Sequence, residues 1–311
     1  MYLTKAFTCL VAMFFSFQAG IHARPVDIES RQAASRSVTY ALQKGELEAV
    51  CNDGHYNTVA LSFIDDLNEN YMNWAFDGAT CKQGAPCPTL KETVQRCQSK
   101  GIKVFVSMGG VPIPDRPYRV PDEKAAQFLA DELHKNLFRG DGPLGKLDGV
   151  DLDLEDNPGA GVPALIKALK ALPEAPLVTM APQCPWAPQF MATYFGASDV
   201  WALPVGKIDW LNMQFYNNPS CSLTHGAWND GTAEAVQWWD KMAGQLGTKW
   251  TLGVDATQDS KYATTGEQLK ESMAKAANMS SNMIGFMAWR GNHAIKARLG
   301  ESMESVAKMA P

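Results

Sequence analysis

The stretch "DGVDLDLED" at residues 148–156 places acidic side chains at every second position. Asp151, Asp153 and Glu155 alternate with Leu152 and Leu154. Because successive side chains of a β-strand point to opposite faces, a strand here carries three carboxylates on one face and aliphatic groups on the other. Burying a carboxylate without a partner is costly. The alternation therefore predicts a buried strand whose acids serve chemistry; a structural network of acids paired with Lys or Arg is the alternative.

Strands and helices alternate along most of the chain. The predicted strands are residues 37–42, 58–64, 102–108, 148–154, 177–181, 208–215, 250–255 and 284–289. Segments with helical spacing of apolar residues lie at 89–100, 121–138, 162–172, 230–247, 265–279 and 293–309. This α/β order indicates a parallel sheet, and eight units predict a single (β/α)8 TIM barrel over residues 37–311. An open doubly wound sheet is the alternative, but "YALQKGELEAV" lacks the glycine-rich loop that would follow its first strand.

The first residues of the chain have the features of a secretory signal. Lys5 precedes an apolar run, "AFTCLVAMFFSFQAG", of the length expected for the core of a signal peptide. We expect cleavage after Ala23, with Ala19 and Gly20 as alternatives, and a short segment at 24–36 before the barrel. A single membrane anchor is the other interpretation, although the run is short for a span of about 20 residues. The prediction is a secreted, extracellular protein with no membrane partner once the signal is removed.

Charge and cysteine content narrow the class of protein further. The formal net charge of −5 disfavours nucleic acid as a partner, because such binders normally present a basic face. Of the seven cysteines, Cys9 lies in the apolar run, so an even number remains for disulfides, with buried free thiols as the alternative. The sequence contains no CxxC motif, and its histidines are scattered, so we expect no zinc site and no cofactor.

The acidic strand has a predictable place in a barrel. Inward-pointing residues climb the wall toward the carboxyl ends of the strands, where active sites collect, so Glu155 would lie at the mouth above Asp153 and Asp151. Closely spaced carboxylates cannot all ionise cheaply, which suits Glu155 to general acid catalysis with a raised pKa. A divalent-metal site is the rival interpretation. Gln214 and Tyr216 after another strand suit a sugar ring and an amide better than a cation.

Several motifs resemble one enzyme family. "DGVDLDLE" matches the DxxDxDxE signature of glycoside hydrolase family 18. The plant-type (class III, hevamine-like) chitinases of that family have motifs similar to "SMGG", "APQCPW", "MQFYNNPSC" and "FMAW" at 107–110, 181–186, 213–221 and 286–289. The motifs follow the family's order across roughly residues 37–290.

The resemblance implies a role for each matching residue. Glu155 would be the acid that protonates the glycosidic oxygen, Asp153 would orient the substrate's acetamido group, and Tyr216 would hydrogen-bond that group's oxygen. These three residues are the predicted catalytic set. The predicted substrate-binding residues are Asp151, Gln214, Trp289, Phe63 and Gly110. Family 18 enzymes use the substrate's own acetamido group as nucleophile, so the implied partner is chitin or its oligosaccharides.

The resemblance also implies a disulfide pattern. The matching pairs are Cys51 with Cys97, Cys81 with Cys87, and Cys184 with Cys221. We expect a monomer, and the absence of a large inserted domain over the cleft favours an endochitinase.

The chain also departs from the plant enzymes near the predicted site. Ala41 and Leu42 stand where those enzymes have tryptophan and glycine, and Val111 stands where a third glycine follows "GG". Valine restricts an approach of sugar to the backbone that glycine allows. A catalytically weak or inactive chito-oligosaccharide-binding protein, lectin-like or sequestering, is therefore the alternative to a chitinase.

Overall fold

The computed structural model describes residues 36–114, 118–186 and 202–307, so the predicted signal peptide at 1–23 and residues 24–35 lie outside the described residues. Eight parallel strands close into a barrel. They are β1 Arg36–Ala41, β2 Thr58–Ile64, β3 Lys103–Gly110, β4 Gly149–Leu154, β5 Leu177–Met180, β6 Trp210–Gln214, β7 Lys249–Asp255 and β8 Met283–Trp289. Val38 pairs with Thr58 on one side and with Met287 on the other, which joins the last strand to the first. The predicted (β/α)8 barrel is confirmed.

Helices connect the strands around the outside. The described helices are α1 Glu46–Asp53, α2 Pro88–Ser99, α3 Glu123–Leu133, α4 Val162–Ala171, α5 Asp230–Leu246, α6 Gly266–Met279, α7 Gly291–Lys296 and α8 Leu299–Ala307. A π-helical turn, His134–Phe138, continues α3. The segment predicted as one helix at 293–309 is two helices, because the backbone leaves the helical region at Arg298, where φ is 55°. None of the described helices is long and apolar enough to cross a membrane.

The α1 helix was not predicted from the sequence. It contains eight residues, "ELEAVCND", between Gly45 and Gly54. A helix of about two turns offers too few positions for an apolar periodicity to be recognised. Its Glu46 is 1% exposed and accepts hydrogen bonds from the backbone of Leu42 and Gln43, which fixes the turn after β1.

Two hydrophobic cores lie on the two sides of the barrel wall. Val150, Leu152 and Leu154 belong to the core between the strands and the helices. The barrel interior has its own core, which includes Val38, Tyr40, Phe105, Trp210 and Met287. Asp151 and Asp153 are 1% and 3% exposed on the interior side. The alternation of acidic and aliphatic residues at 148–156 therefore corresponds to the two faces of β4, with the acids inside the barrel and the aliphatic residues toward the helices.

Three disulfides stabilise the connections, and they join the cysteine pairs that the resemblance implies. Cys51–Cys97 links α1 to α2, and Cys81–Cys87 links a short hairpin strand to the start of α2. Cys184–Cys221 joins the loop after β5 to the loop after β6. The loss of a native disulfide costs about 2–5 kcal/mol of stability.

Candidate active site

Asp151 lies at the base of the site and collects donors from four strands. Its carboxylate accepts hydrogen bonds from Tyr40 Oη at 2.9 Å, Ser107 Oγ at 2.9 Å, Thr179 Oγ1 at 2.6 Å and Asn212 Nδ2 at 3.0 Å. These donors come from β1, β3, β5 and β6. An ionised carboxylate offers about four acceptor positions, so the donors match the anion. Burial raises the pKa of Asp151, and the hydrogen bonds oppose that rise.

The orientation of Asn212 shows that this donor set is fixed. Its Oδ1 accepts from Trp210 Nε1 at 2.9 Å and from Thr251 Oγ1 at 3.0 Å. The amide nitrogen must therefore face Asp151, because both donors select the oxygen for the opposite side. No hydrogen bond joins Asp151 to Asp153 within the described part of the chain. Asp151 acts on Asp153 through its charge rather than through a direct bond.

Gln214 connects the two upper acids. Its Nε2 donates to Asp153 Oδ1 at 2.7 Å and to the carbonyl oxygen of Ala181 at 2.7 Å, while Glu155 Oε1 lies 3.5 Å away. An amide nitrogen carries two hydrogens, so the two short contacts use both of them. The longer contact to Glu155 is correspondingly weak. Gln214 therefore holds Asp153 firmly and leaves Glu155 dependent on other donors.

Burial is the largest cause of the raised pKa in both upper acids, Asp153 and Glu155, and the smaller contributions differ. Burial, followed by the charges of Glu155 and Asp151, raises the pKa of Asp153 well above its usual value. Burial also raises the pKa of Glu155, and hydrogen bonds from Gln214 and Gln183 oppose that rise. Because both acids favour the protonated form and their charges repel, the pair retains a proton to higher pH than isolated carboxyl groups would.

One cavity at the carboxyl ends of the strands brings most of the predicted residues together. It has a volume of about 310 Å³. Its wall contains Glu155, Asp153, Tyr216, Gln214, Trp289, Phe63 and Gly110. Asp151 is the predicted substrate-binding residue that does not line this wall, since its carboxylate is enclosed by its four donors below the cavity. We therefore assign Asp151 an indirect role.

Aromatic side chains form the floor of the cavity. The Trp289 ring stacks on Phe63 with centroids 5.9 Å apart and lies 5.6 Å from Tyr40. Gly110 packs against the same Phe63, and a Cβ atom at this position would lie 3.1 Å from the ring. Tyr216 is 5% exposed, and burial raises its pKa well above the usual value. Its hydroxyl therefore stays protonated and can donate a hydrogen bond into the cavity.

The rim of the cavity is apolar on one side. Leu42, Val111 and Ile113 line it, and Val111 is 70% exposed. Val111 and Leu42 are the two positions on this wall where the sequence departs from the plant-type chitinases. These two departures therefore line the same cavity as Asp153 and Glu155, and Val111 directly follows Gly110, which pairs with Leu154 of β4.

The comparisons with known proteins agree with this geometry. No protein-family model matches the chain. The sequence is 30% identical over 254 residues to the acidic endochitinase of Phaseolus angularis, covering 80% of this chain and 78% of that relative. It is 32% identical over 285 residues to endochitinase 3 of Metarhizium anisopliae, covering 80% and 88%. The chain belongs to glycoside hydrolase family 18.

Solved structures with the same fold include a chitinase and a chitinase-like lectin. The ICChI chitinase from Ipomoea carnea superposes with a TM-score of 0.71 at 21% identity, covering 87% of this chain and 99% of that one. A tamarind chitinase-like lectin superposes with a TM-score of 0.69 at 23% identity, covering 86% and 98%. At these identities the likeness shows the fold that this family 18 chain shares with both.

Several residues of this family 18 site were not predicted. Gln183 Nε2 donates to Glu155 Oε2 at 3.1 Å, and Asn218 Nδ2 donates to Gln183 Oε1 at 2.8 Å. Both residues lie inside quoted motifs, so the signal was present. Tyr40 and Asn212 could have been found by continuing the period-two alternation along their strands. Tyr118, whose hydroxyl accepts from the Glu155 backbone at 2.8 Å, comes from a loop and carries no such signal.

Proposed function

We propose that the protein is a secreted chitinase that hydrolyses β-1,4-linked N-acetylglucosamine in chitin or its oligosaccharides. The observation that carries this proposal is the single cavity whose wall contains Asp153, Glu155, Tyr216 and Trp289 together. The curated relatives in glycoside hydrolase family 18 are named endochitinases, which supports the same substrate class.

In the first step Glu155 acts as the general acid. Burial raises the pKa of Glu155, which favours the protonated carboxyl group that a general acid needs. The carbonyl oxygen of the substrate's acetamido group attacks the anomeric carbon as the bond to the leaving sugar breaks. The leaving sugar takes the proton, and an oxazolinium ion forms without a protein nucleophile.

Asp153 and Tyr216 bind and orient the acetamido group during this step. The Tyr216 hydroxyl donates to the acetamido oxygen, and Asp153 accepts from the acetamido nitrogen. The oxazolinium carries a positive charge, which the carboxylate form of Asp153 stabilises. Gln214 fixes the position of Asp153 Oδ1 at 2.7 Å, so the acid is held before substrate binds.

In the second step Glu155 acts as a base. It takes a proton from a water molecule, whose oxygen attacks the anomeric carbon and opens the oxazolinium ring. The anomeric configuration is retained because each of the two attacks inverts the carbon, and the proton taken from water restores the acid form of Glu155.

A chito-oligosaccharide-binding protein with weak or no turnover is the second candidate. The observation that favours it is the exposed Val111 on the cavity rim beside Leu42, where the side chains limit how a sugar enters. The tamarind protein with the same fold is a chitinase-like lectin. Retention of Glu155, Asp153 and Tyr216 in one cavity favours the chitinase over this candidate.

Turnover of chitin hexamer separates the two functions. We would compare the mature chain with Glu155→Gln, which keeps the size of the side chain, and with Glu271→Gln on the exposed face of α6 as a matched control. Products are followed by mass and their anomeric form by NMR. Cleavage to the β-anomer that is lost only in Glu155→Gln supports the chitinase. Binding of the hexamer without cleavage by the unaltered chain supports the binding protein.

A further inference from the structure

Glu155 is held by a chain of two amides that lies outside the cavity. We propose that Gln183 and Asn218 are positioning residues for this acid: Asn218 orients the Gln183 amide, and Gln183 directs the Glu155 carboxyl group. The inference deepens the proposed function, since it assumes that Glu155 is the acid. Asn218 Nδ2 donates to Gln183 Oε1 at 2.8 Å, and Gln183 Nε2 donates to Glu155 Oε2 at 3.1 Å. Neither side chain lines the cavity wall.

Asn218 determines which end of the Gln183 amide group faces Glu155. Because its amide group donates to Gln183 Oε1, the Gln183 amide must turn its nitrogen toward Glu155. The same Nδ2 lies 3.2 Å from the carbonyl oxygen of Tyr216. The Asn218 side chain thus connects the backbone of the acetamido-binding tyrosine to the side chain that holds the acid.

The backbone under both amides is fixed. Cys184 N donates to the carbonyl oxygen of Gln214 at 3.0 Å, and Trp239 Nε1 donates to the carbonyl oxygen of Cys184 at 3.0 Å. The Asn218 carbonyl oxygen accepts from the backbone of Cys221 at 3.1 Å. The Cys184–Cys221 disulfide then joins the two loops directly. These contacts fix the backbone at Gln183 and Asn218, so the two side-chain amides start from defined positions.

Gln183 and Gln214 are the two side chains whose hydrogen bonds oppose the rise in the pKa of Glu155, and Gln183 makes the shorter contact, at 3.1 Å against 3.5 Å. No lysine, arginine or histidine of the described residues lines the cavity. The titratable and charged groups around Glu155 and its partners are Asp153, Asp151, Asp65, Asp255, Tyr216, Tyr118 and the Arg119–Asp156 pair at 3.5 Å. Gln214 also donates to Asp153 and to the carbonyl oxygen of Ala181 at 2.7 Å, so its contact with Glu155 is the weaker of the two. Donation from Gln183 stabilises the carboxylate form of Glu155, so its loss raises the pKa of Glu155 further.

The test measures the titration of Glu155 directly, so it does not depend on turnover. The carboxyl group is followed by ¹³C NMR in protein labelled at glutamate, with Glu155→Gln to assign the signal. Gln183→Met keeps the length of the side chain and removes the donor; Gln127→Met, on the exposed face of α3, is the matched control. We expect Glu155 to titrate at higher pH in Gln183→Met and in Asn218→Ala, and unchanged in Gln127→Met.

The effects of Gln183→Met and Asn218→Ala on the titration of Glu155 should not be additive. Since Asn218 acts through Gln183, we expect the double variant to shift the titration no further than Gln183→Met alone. With chitin hexamer, we expect kcat to fall by about tenfold in Gln183→Met at little change in KM, with the alkaline limb of the pH profile moved upward. An unchanged titration in folded Gln183→Met overturns the proposal, as does a strictly additive double variant. If the unaltered chain lacks turnover, the proposed function fails while the NMR result still decides the positioning role.

Discussion

The Tyr40 hydroxyl donates to Asp151 Oδ2 across the barrel interior at 2.9 Å. This hydrogen bond joins β1 to β4, although the two residues are 111 positions apart in the sequence. The same tyrosine ring lies 5.6 Å from Trp289 on the cavity floor. One side chain therefore supports both the innermost acid and the aromatic surface proposed to hold the sugar.

Removal of this hydroxyl should destabilise the protein. Tyr40→Phe leaves the Asp151 carboxylate with three donors, and a hydrogen bond to a charged group contributes about 1.5–3 kcal/mol. We expect the free energy of unfolding in urea to fall by about that amount. Tyr71→Phe, on a tyrosine 45% exposed in a short hairpin, is the matched control and should leave it unchanged. Equal stability of the two variants would show that the hydroxyl carries no net stabilisation.

The acidic pair should make the protein less stable as pH rises. The pKa of Asp153 is raised in the folded state, so at this site the folded protein binds more protons than the unfolded chain, and the contribution of Asp153 to stability is greatest at low pH. Stability from this group declines above the ordinary value of 3.8 and is lost as pH passes the folded pKa. Asp153→Asn should flatten this decline, as measured by urea unfolding across the pH range. Parallel curves for the two proteins would contradict the assignment.

Substitution at Gly110 should disturb the cavity floor. Gly110 has φ of 82°, and a Cβ atom would lie 3.1 Å from the Phe63 ring. Gly101→Ala is a close control, since Gly101 has φ of 81° with nothing within 4 Å of a Cβ atom. Both variants carry the backbone cost of about 1–2 kcal/mol. We expect Gly110→Ala to lose more stability than Gly101→Ala and to bind chitin hexamer more weakly in calorimetry. An equal loss of stability in the two variants, with unchanged binding of the hexamer, would mean that the Phe63 ring moves aside at no cost.

A smaller side chain at the rim should ease the entry of substrate. Val111→Gly removes an exposed side chain beside the cavity, and we expect KM for chitin hexamer to fall by about a few-fold. Val205→Gly, at a valine 64% exposed and off the cavity wall, is the control for flexibility introduced by glycine. A KM that does not fall in Val111→Gly would show that the rim does not limit entry.

The barrel and the acids could be predicted because their signal is local. The alternation at Asp151, Asp153 and Glu155 belongs to one strand, and the period of two fixes which residues face inward. The motif around Tyr216 is likewise one short, continuous segment of the sequence. Each of these residues is placed by neighbours only a few positions away.

The remainder of the site depends on contacts between distant segments. Asn218 reaches Gln183 from 35 positions along the chain, and Tyr118 reaches the Glu155 backbone from 37 positions. No spacing in the sequence specifies such meetings, because the lengths and paths of loops decide them. The four donors to Asp151 were missed for a related reason: the period-two alternation could have placed Tyr40 and Asn212 on the inner face, but only closure of the barrel brings all four donors together.

The Cys51–Cys97 bridge spans 46 positions and encloses β2 together with the two short hairpins after it. A protease that cut the exposed turn between Glu69 and Asn70 would leave Cys51 on one fragment and Cys97 on the other. The fragments would stay covalently attached, so a nicked molecule would run as one band without reductant and as two bands with it. The crosslink thus preserves the integrity of the barrel after a break in its polypeptide.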